Sequence, residues 1–332
     1  NQHETYMRRC LDLATLGLGH VSPNPLVGSV IVKDNKIIGE GFHREIGKAH
    51  AEVNAIASVK NEEDLKSSTI YVNLEPCVHY GKTPPCTDLI LDKGIPRVVI
   101  GMKDPNPKVA GKGIEKLRNH GVEVTVGVLE KESKHLNRRF IQYMTSKRPY
   151  VILKWAKTED GFMDVLRPVD RTGIPSWITN TYCKQLVHKW RTEEDAFMVG
   201  KHTAIMDNPQ LTVREWTGRN PKRITIDYDE NLPKDLAIFN EDSDNYIFTG
   251  KDSHEENKNH FIHIQSRKQN LSEILEILHQ EKIQSVVVEG GSELLQSFIK
   301  QGMWDEARVF TGNHYFNEGV KSPVISGINE SN

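Results

Sequence analysis

The sequence predicts two α/β domains joined in tandem. The chain has 332 residues, which is enough for two domains at roughly 100–200 residues each. Helix and strand patterns alternate through both halves, which is typical of sheets covered by helices. A short polar break, Ser146-Lys147-Arg148-Pro149, separates the halves. We therefore predict one domain at residues 1–147 and a second at residues 148–332.

In the first half, helices are expected where apolar residues recur at helical spacing, and strands where short apolar runs end at turn residues. The predicted helices cover residues 5–16, 50–59, 86–92, 113–120 and 130–144. The predicted strands cover residues 26–32, 37–42, 69–74, 97–102 and 123–128. Gly17 stops the first helix, Asp34-Asn35 turns the first strand into the second, and Pro84-Pro85 suits the start of a helix.

The second half follows the same logic and adds a polar stretch over residues 229–259. Its predicted strands cover residues 150–155, 196–200, 223–227, 246–249, 285–288 and 306–311. Its predicted helices cover residues 179–193, 271–282 and 292–300. Both halves therefore predict a sheet with helices packed on it.

The composition is that of an ordinary soluble globular protein, with 37% hydrophobic and 27% charged residues. A net charge of -2 gives no bulk attraction to nucleic acid or to an anionic membrane. No apolar run approaches the roughly 20 residues that cross a bilayer, and the N-terminus lacks the pattern of a secretory signal. Four cysteines are too few for a disulfide scaffold. We expect a cytoplasmic protein that forms a homo-oligomer and has no nucleic-acid or membrane partner.

Three potential metal ligands and one carboxylate stand out in the first half. His50 and Glu52 lie on the first turn of one predicted helix. Cys77 follows a predicted strand, and Cys86 opens the next helix. One imidazole and two thiolates leave the fourth position of a tetrahedral zinc ion open for water, and zinc lowers the pKa of that water to about 7. The pattern predicts hydrolytic deamination, with zinc on His50, Cys77 and Cys86 and with Glu52 as the proton shuttle.

Each part of this pattern is common alone, so alternatives stay open. The zinc-deaminase signature usually has two residues between its cysteines, whereas eight separate Cys77 from Cys86. One alternative is a nucleoside or tRNA deaminase with an appended binding domain, against which the net charge argues. Another is a non-catalytic scaffold stabilised by zinc. Cys10 and Cys183 are expected to be core residues.

The segment between the two zinc-site cysteines resembles the bifunctional deaminase–reductase family of riboflavin biosynthesis. It reads Pro76-Cys77-Val78-His79-Tyr80-Gly81-Lys82-Thr83-Pro84-Pro85-Cys86. Matching segments extend over nearly the whole chain: Pro23-Asn24-Pro25, Val27-Gly28, Gly41-Phe42-His43, Asp104-Pro105-Asn106-Pro107, Val109-Ala110-Gly111, Lys154, Asp160-Gly161, Trp177-Ile178-Thr179, Asp207-Asn208-Pro209, Leu211-Thr212-Val213-Arg214 and Glu289-Gly290-Gly291. The resemblance implies a cytidine-deaminase-like α/β/α sandwich followed by a dihydrofolate-reductase-like α/β domain.

The family's chemistry supplies further expectations. Its first reaction removes the 2-amino group of a diaminopyrimidinone ribosylamino phosphate, and its second reduces the ribosyl group of the product to ribityl with NADPH. The resemblance therefore implies a phosphorylated pyrimidine as substrate, with Zn²⁺ and NADPH as cofactors. In the first domain it implies a substrate site lined by Asn24, His43, Lys82, Asp104 and Asn106.

In the second half, a predicted strand runs into Glu289-Gly290-Gly291-Ser292 and a helix follows. Such a turn is usually only a tight turn, but its glycines and the free N–H groups of the helix can hold a phosphate. No Gly-x-Gly-x-x-Gly sequence follows a strand here, which disfavours a Rossmann fold. With the resemblance, the turn predicts a cofactor site.

The resemblance also assigns roles to polar groups of the second domain. Lys154 and Asp207 are expected to handle ring opening and protons, although which residue is the acid stays open. Substrate contacts are expected from Arg191, Leu211, Arg214 and Glu289. Cofactor contacts are expected from Lys157, Trp177, Thr179, Thr203, Asp207, Gly290, Gly291 and Ser292.

The sequence departs from the family pattern at a few positions. Val78 and Tyr80 stand where Ser and His are frequent, and neither is a proposed zinc ligand. The segment 162–175 is atypical, and its Pro175 replaces a frequent Ser, so we expect a substrate contact to be lost there. The family often continues to one more C-terminal strand, so we expect that strand to be absent or trimmed.

Overall fold

The chain consists of two compact units, Asn1–Lys147 and Arg148–Asn332. A computed structural model describes residues 2–80, 84–106, 109–167, 176–265 and 271–325. Within these ranges, every helix is too short or too polar to cross a membrane. Each unit is built around its own sheet.

The first unit has one five-stranded sheet in the order β2-β1-β3-β4-β5. In chain order its elements are α1 (Gln2–Thr15), β1 (Gly28–Lys33), β2 (Lys36–Phe42), α2 (Ala51–Ala57), β3 (Thr69–Leu74), α3 (Cys86–Asp92), β4 (Arg97–Met102), α4 (Lys112–Asn119), β5 (Glu123–Val126), α5 (Glu130–Leu136) and α6 (Arg138–Ser146). β1 is antiparallel to both β2 and β3, whereas β3, β4 and β5 are parallel.

Side chains alternate between two buried faces along the central strands of this sheet. On β3, Ile70 and Val72 pack with Ile90 of α3 and Leu117 of α4. Tyr71, which points to the opposite face, packs with Met7 of α1. Successive residues of a strand point to opposite faces, so burial on both sides requires helices on both sides. The unit is the expected α/β/α sandwich.

Helix α1 lies unusually close to strand β1. A Cβ atom added at Gly28 would lie 2.0 Å from the carbonyl oxygen of Cys10. Only glycine permits this approach, and its missing side chain lets the helix pack directly on the sheet.

The expected single helix at 130–144 is wrong, because the chain forms α5 and α6 with a break at Asn137. The Asn137 side chain accepts a hydrogen bond from Leu26 N at 2.8 Å and donates one to Leu26 O at 2.9 Å. These bonds fix the segment that leads into β1, close in sequence to Asn24. A contact across 111 residues is invisible to local periodicity.

The second unit has one eight-stranded sheet in the order β11-β12-β10-β9-β8-β13-β6-β14, and a separate pair formed by β7 and β15. In chain order its elements are β6 (Tyr150–Thr158), β7 (Phe162–Asp164), α7 (Thr181–Glu193), β8 (Ala196–Val199), α8 (Lys201–Asp207), β9 (Lys222–Ile226), β10 (Asn245–Thr249), β11 (His254–Glu256), β12 (Asn259–His263), α9 (Leu271–Gln280), β13 (Ser285–Glu289), α10 (Ser292–Gln301), β14 (Glu306–Gly312) and β15 (Val320–Lys321). All neighbouring strands of the large sheet are parallel except β11 and β12.

Two apolar layers cover this sheet. Val151 and Leu153 of β6 pack on one face with residues of α9 and α10. Ile152 packs on the other face with Ala204 of α8 and, at its border, Trp190 of α7. Lys154 lies two residues after Ile152 and therefore on the face that α7 and α8 cover. This face carries the polar groups described below.

Among the described residues of this unit, the sequence did not predict five short elements, which are β7, α8, β11, β12 and β15. None exceeds seven residues, β11 lies within the polar stretch 229–259, and β12 begins at the last residue of that stretch. The prediction that Cys183 is a core residue is also wrong, because Cys183 is only half-buried on the first turn of α7. Cys10 is buried as expected.

Candidate functional sites

The first site gathers the three potential metal ligands. His50 is the N-cap residue of α2, one position before the helix rather than on its first turn, Cys77 follows β3, and Cys86 is the first residue of α3. His50 Nδ1 lies 3.6 Å from Cys77 Sγ and 3.3 Å from Cys86 Sγ. The ligand atoms all lie within 4.8 Å of one another. Zn–S and Zn–N bonds of ordinary length give a tetrahedral N···S edge of about 3.6 Å, so the three groups fit a zinc ion.

The thiols are held in an arrangement that favours a bound cation. The hydrogen bond from Cys86 and the contact with His50 lower the pKa of Cys77, although burial opposes them. The same bond to Cys77, followed by burial, raises the pKa of Cys86. The Cys86 N–H also donates to Cys77 Sγ at 3.3 Å. The two sulfurs share one proton in the hydrogen bond between them. Both become thiolates only when a bound cation takes the place of that proton.

Glu52 lies beside the ligands on the first turn of α2. Its side chain is buried, with 3% of the residue exposed. Burial, followed by the charge of Cys77, raises the pKa of Glu52 to about 7. A carboxyl group with this pKa can take up and release a proton near neutral pH. Its position and its pKa suit a proton shuttle.

His43 and Asn24 form a second polar group near the ligands. The His43 ring lies edge-on to the His50 ring, with 5.6 Å between centroids. His43 Nε2 is 3.0 Å from Asn24 Nδ2, and His43 Nδ1 is 3.1 Å from Ala49 O. An amide donor at Nε2 and a carbonyl acceptor at Nδ1 fit a neutral ring with its proton on Nδ1. Burial, the main cause, lowers the pKa of His43 and favours this neutral form.

Asp104 and Asn106 lie in a loop that Glu75 holds. Asp104 Oδ1 accepts the Asn106 N–H at 2.8 Å. Lys82 lies outside the described residues, so the structure does not test its expected phosphate contact. Val78 is half-buried, and the exposed Tyr80 donates its hydroxyl proton to Asp88 at 2.9 Å.

Glu75, for which the sequence pattern predicts no role, accepts hydrogen bonds from four main-chain N–H groups. Its Oε2 accepts from Asp104 at 3.1 Å and from Gly111 at 2.9 Å, and its Oε1 accepts from Gly113 at 2.8 Å and from Ile114 at 3.3 Å. The carboxylate therefore ties the Asp104 loop and the start of α4 to the strand end that carries Cys77.

The second unit brings together Lys154, Glu289 and Arg191. Lys154 Nζ is 2.6 Å from Glu289 Oε1, and Arg191 Nη2 is 3.1 Å from Glu289 Oε2. Burial alone would raise the pKa of Glu289, but the charges of Lys154 and Arg191 outweigh it and hold the pKa at about 2. Glu289 is therefore ionised at neutral pH, and both cations are fixed beside it.

Arg191 and Arg214 meet at Thr212. Thr212 O accepts from Arg191 Nη1 at 3.0 Å, and Thr212 Oγ1 accepts from Arg214 Nη1 at 2.8 Å. Much of Arg214 is exposed, but its guanidinium group is partly removed from water; this partial burial, followed by the charge of Arg191, lowers the pKa of Arg214. Leu211 is 2% exposed and packs into the core, so its side chain does not face a ligand. Any contact of Leu211 with a ligand would be made by its main chain.

Asp207, the last residue of α8, pairs with Arg167, a residue for which the sequence pattern predicts no role. Arg167 Nη2 donates to Asp207 Oδ1 at 2.6 Å, and Arg167 Nε donates to Asp164 at 3.0 Å. Arg167 lies in the atypical segment 162–175, and the remainder of that segment from residue 168, with Pro175, lies outside the described residues.

The Gly290-Gly291 turn packs closely on the start of α8. A Cβ added at Gly291 would lie 3.2 Å from Thr203 Oγ1, and one added at Gly290 would lie 3.5 Å from Gly200 N. Gly291 is the N-cap of α10 and offers no side chain to the first N–H groups of the helix, which starts at Ser292. A ligand phosphate is one partner for these groups.

The remaining expected cofactor residues lie in different environments. Lys157 and Thr179 are half-buried. Trp177 is 62% exposed, and Lys184 Nζ lies 5.2 Å from the centroid of its ring. An exposed indole is available for contact with a planar ring.

Comparisons with known proteins give a family match in both halves of the chain. The family model of the cytidine and deoxycytidylate deaminase zinc-binding region matches residues 1–102, and that of the RibD C-terminal domain matches residues 149–314. Riboflavin biosynthesis protein RibD of Aquifex aeolicus is 42% identical over 322 residues, which cover 96% of this chain and 88% of that protein.

Two solved structures are similar over nearly the full length. A diaminohydroxyphosphoribosylaminopyrimidine deaminase/5-amino-6-(5-phosphoribosylamino)uracil reductase from Thermotoga maritima has a TM-score of 0.88 at 43% identity and covers 99% of this chain and 91% of its own. Acinetobacter baumannii RibD has a TM-score of 0.86 at 33% identity and covers 99% of this chain and 92% of its own.

The fold and the sites define a zinc-binding deaminase domain of the cytidine deaminase type, followed by a dihydrofolate-reductase-like reductase domain. With relatives above 40% identity across almost all of its length, the chain belongs to the RibD family of riboflavin biosynthesis proteins. It is a bifunctional deaminase and reductase whose cofactors are zinc and NADPH. The predicted family, fold class, activities and cofactors are confirmed.

Proposed function

We propose that residues 1–147 deaminate 2,5-diamino-6-(5-phosphoribosylamino)pyrimidin-4-one. Residues 148–332 then reduce the ribosyl group of 5-amino-6-(5-phosphoribosylamino)uracil to ribityl. The observation that carries the proposal is the convergence of His50, Cys77 and Cys86 on one point beside the buried carboxyl group of Glu52. The Thermotoga maritima enzyme, which acts on these compounds, supports the choice of substrates.

In the deaminase, His50, Cys77 and Cys86 hold the zinc ion. Bound zinc supplies the positive charge that lowers the pKa of a water molecule toward 7. With zinc bound, Glu52 would carry one proton of the attacking water to the ring nitrogen and the second to the amino group, which leaves as ammonia while the oxygen stays on the ring carbon. Its raised pKa allows the carboxyl group to do both near neutral pH.

Substrate binding in the first domain is assigned to the groups that surround the ligands. Asn24 and His43 form a hydrogen-bonded pair beside His50, so they contact the pyrimidine ring. Asp104 and Asn106 lie on the loop that Glu75 fixes, and they contact the ring or the sugar. Lys82 is assigned to the phosphate by the family resemblance alone.

In the reductase, NADPH supplies the hydride. Lys154 is the nearest cation to Glu289, and the pair orients the sugar hydroxyls and handles the proton of ring opening. Asp207, fixed by Arg167, shares the proton handling and contacts the cofactor.

Phosphate groups have two assigned partners in this domain. Arg191 and Arg214, which meet at Thr212, bind the substrate phosphate, and the main chain of Leu211 completes this site. The cofactor phosphates lie on the start of α10, and the remaining cofactor contacts come from Lys157, Trp177, Thr179, Thr203, Gly290, Gly291 and Ser292.

The test follows both activities in one chain. Ammonia release from the diaminopyrimidine phosphate measures the first, and NADPH oxidation with the deaminated product measures the second. Glu52→Gln is expected to abolish ammonia release while zinc content and NADPH oxidation stay at the level of the unmutated protein. Ammonia release that survives in Glu52→Gln would remove Glu52 from the mechanism, and failure to oxidise NADPH with the deaminated product would remove the reductase assignment.

Two further proposals concern the cell and the assembly. We place the protein in the cytoplasm as a homo-oligomer, in line with its four unbridged cysteines. Tyr182 and Leu186 lie four residues apart on α7 and expose an apolar strip that a second copy can cover. Light scattering of the purified chain would give a mass of a single protomer if the assembly proposal is wrong.

A further inference from the structure

A buried histidine links the two arginines assigned to the substrate phosphate. His188 is 2% exposed and lies on α7, one turn before Arg191. Its Nδ1 accepts the main-chain N–H of Arg214 at 3.0 Å and lies 3.5 Å from that of Glu215. The imidazole therefore joins the helix that carries one arginine to the loop that carries the other.

This link acts on two groups of like charge. Arg191 and Arg214 both bond to Thr212, and the charge of Arg191 helps to lower the pKa of Arg214. Glu215, the adjacent carboxylate, forms its ion pair with Lys184 instead. The two guanidinium groups carry like charges and repel each other, so their separation depends on bonds that hold the loop to the helix.

One atom of this arrangement still lacks a partner. Arg191 Nε is buried and has no hydrogen-bond partner among the residues that the structure describes. A buried guanidinium N–H without a partner costs free energy unless a ligand satisfies it. An anionic oxygen is the partner that suits it, which agrees with a phosphate between the two arginines.

Only the neutral imidazole can make this link. An Nδ1 that accepts a main-chain N–H must carry a lone pair, so the proton lies on Nε2. Burial, followed by the charges of Arg191 and Arg214, lowers the pKa of His188 to about 4. The acceptor is thus available at neutral pH.

We infer that His188 is a positioning residue of the reductase, which sets the spacing of Arg191 and Arg214 for the substrate phosphate without touching the substrate. The inference rests on the proposed function, because it takes the two arginines as the phosphate site. Its effect is on binding of the phosphorylated substrate, not on hydride transfer.

Two substitutions separate the acceptor from the bulk of the side chain. His188→Leu has a similar size and no acceptor, whereas the side-chain oxygen of His188→Asn can take the place of Nδ1. We expect His188→Leu to raise the KM for the ribosylamino substrate about tenfold, with kcat and the KM for NADPH changed less than about threefold. Inhibition by inorganic phosphate should weaken in parallel. His188→Asn should recover most of both losses.

The full chain supplies its own controls. Ammonia release by the first domain measures the amount of folded protein in every preparation. All five tryptophans lie in residues 148–332, so their fluorescence reports the folding of the reductase domain. If His188→Asn and His188→Leu raise the KM equally, the acceptor is not the cause and the inference is overturned.

Arg214→Gln separates this inference from the proposed function. A raised substrate KM and weaker phosphate inhibition in Arg214→Gln support the phosphate site. If Arg214→Gln leaves both values unchanged, the proposed phosphate site is wrong. If Arg214→Gln raises the KM while His188→Leu behaves as the unmutated protein, the phosphate site stands and the role of His188 is refuted.

Discussion

Lys154 Nζ lies 2.6 Å from Glu289 Oε1, on neighbouring parallel strands where the two residues are in register. The second carboxylate oxygen of Glu289 lies 3.1 Å from Arg191 Nη2. One ionised carboxylate thus fixes two cations on the face of the sheet that α7 and α8 cover. Removal of either cation would leave the Glu289 carboxylate with a single cationic partner in a partly buried site.

This relationship predicts the effect of Lys154→Met, which keeps the length of the side chain and removes its charge. NADPH oxidation should fall at least about 100-fold, because the ammonium group proposed to handle the proton of ring opening is lost and Glu289 keeps Arg191 as its single cationic partner. Ammonia release should stay unchanged. Lys300→Met, at an exposed position on α10, is the matched control. An equal loss of both activities in Lys154→Met would indicate general unfolding and contradict the assigned role.

Glu75→Gln tests the network that holds the Asp104 loop. In the unmutated protein, both carboxylate oxygens of Glu75 accept bonds from main-chain N–H groups. In Glu75→Gln an NH₂ group, which cannot accept these bonds, replaces one of the oxygens, so several of the four bonds are lost. Hydrogen bonds to charged groups contribute roughly 1.5–3 kcal/mol each, and ammonia release should fall at least about tenfold. Zinc content, measured by atomic absorption, should remain near that of the unmutated protein.

The control for this substitution lies on the helix that Glu75 anchors. Glu115→Gln changes an exposed residue of α4 and should leave ammonia release unaltered. Zinc loss in Glu75→Gln equal to its loss of activity would mean that Glu75 supports the metal site rather than the substrate loop.

The sequence predicted the zinc site because each ligand adjoins an element with a strong local signal. His50 precedes a helix, Cys77 follows a strand of buried residues, and Cys86 follows two prolines at a helix start. The prediction of hydrolytic deamination then needed only three zinc ligands and one carboxylate. The spacing of eight residues between the cysteines did not matter, because the fold brings the sulfurs together.

The supporting residues could not be predicted in the same way. Glu75 reaches Gly113 across 38 positions, and His188 reaches Arg214 across 26. Asn137 breaks a helix because of a bond to Leu26, on the far side of the domain in sequence. Such contacts depend on the folded topology, and a single sequence carries no local signal for them.

The stability of the reductase domain should depend on pH through His188. Its pKa is about 4 in the folded chain and 6.5 when unperturbed, so below pH 6.5 the unfolded chain binds a proton that the folded chain does not. The contribution of neutral His188 is complete above pH 6.5 and is lost as pH falls toward 4. From pH 7 to pH 5 the unfolding free energy should drop by roughly 2 kcal/mol from this group.

Urea unfolding followed by tryptophan fluorescence measures this effect in the second domain. His188→Asn has no group that titrates in this range, so its loss of stability between pH 7 and pH 5 should be smaller by about the same amount. Parallel curves for the two proteins would show that His188 titrates normally in the folded chain.

Cys86→Ser tests the site on which the deaminase depends. A hydroxyl group is a much weaker zinc ligand than a thiolate, so bound zinc should fall from about one ion per chain to well below one. Ammonia release should be lost, and NADPH oxidation with the deaminated product should persist because the reductase has its own site. Cys183→Ser, at a half-buried position on α7, should keep both its zinc and its deaminase activity. A Cys86→Ser protein that retains a full zinc ion would show that the metal has another set of ligands, and the three-ligand site would have to be abandoned.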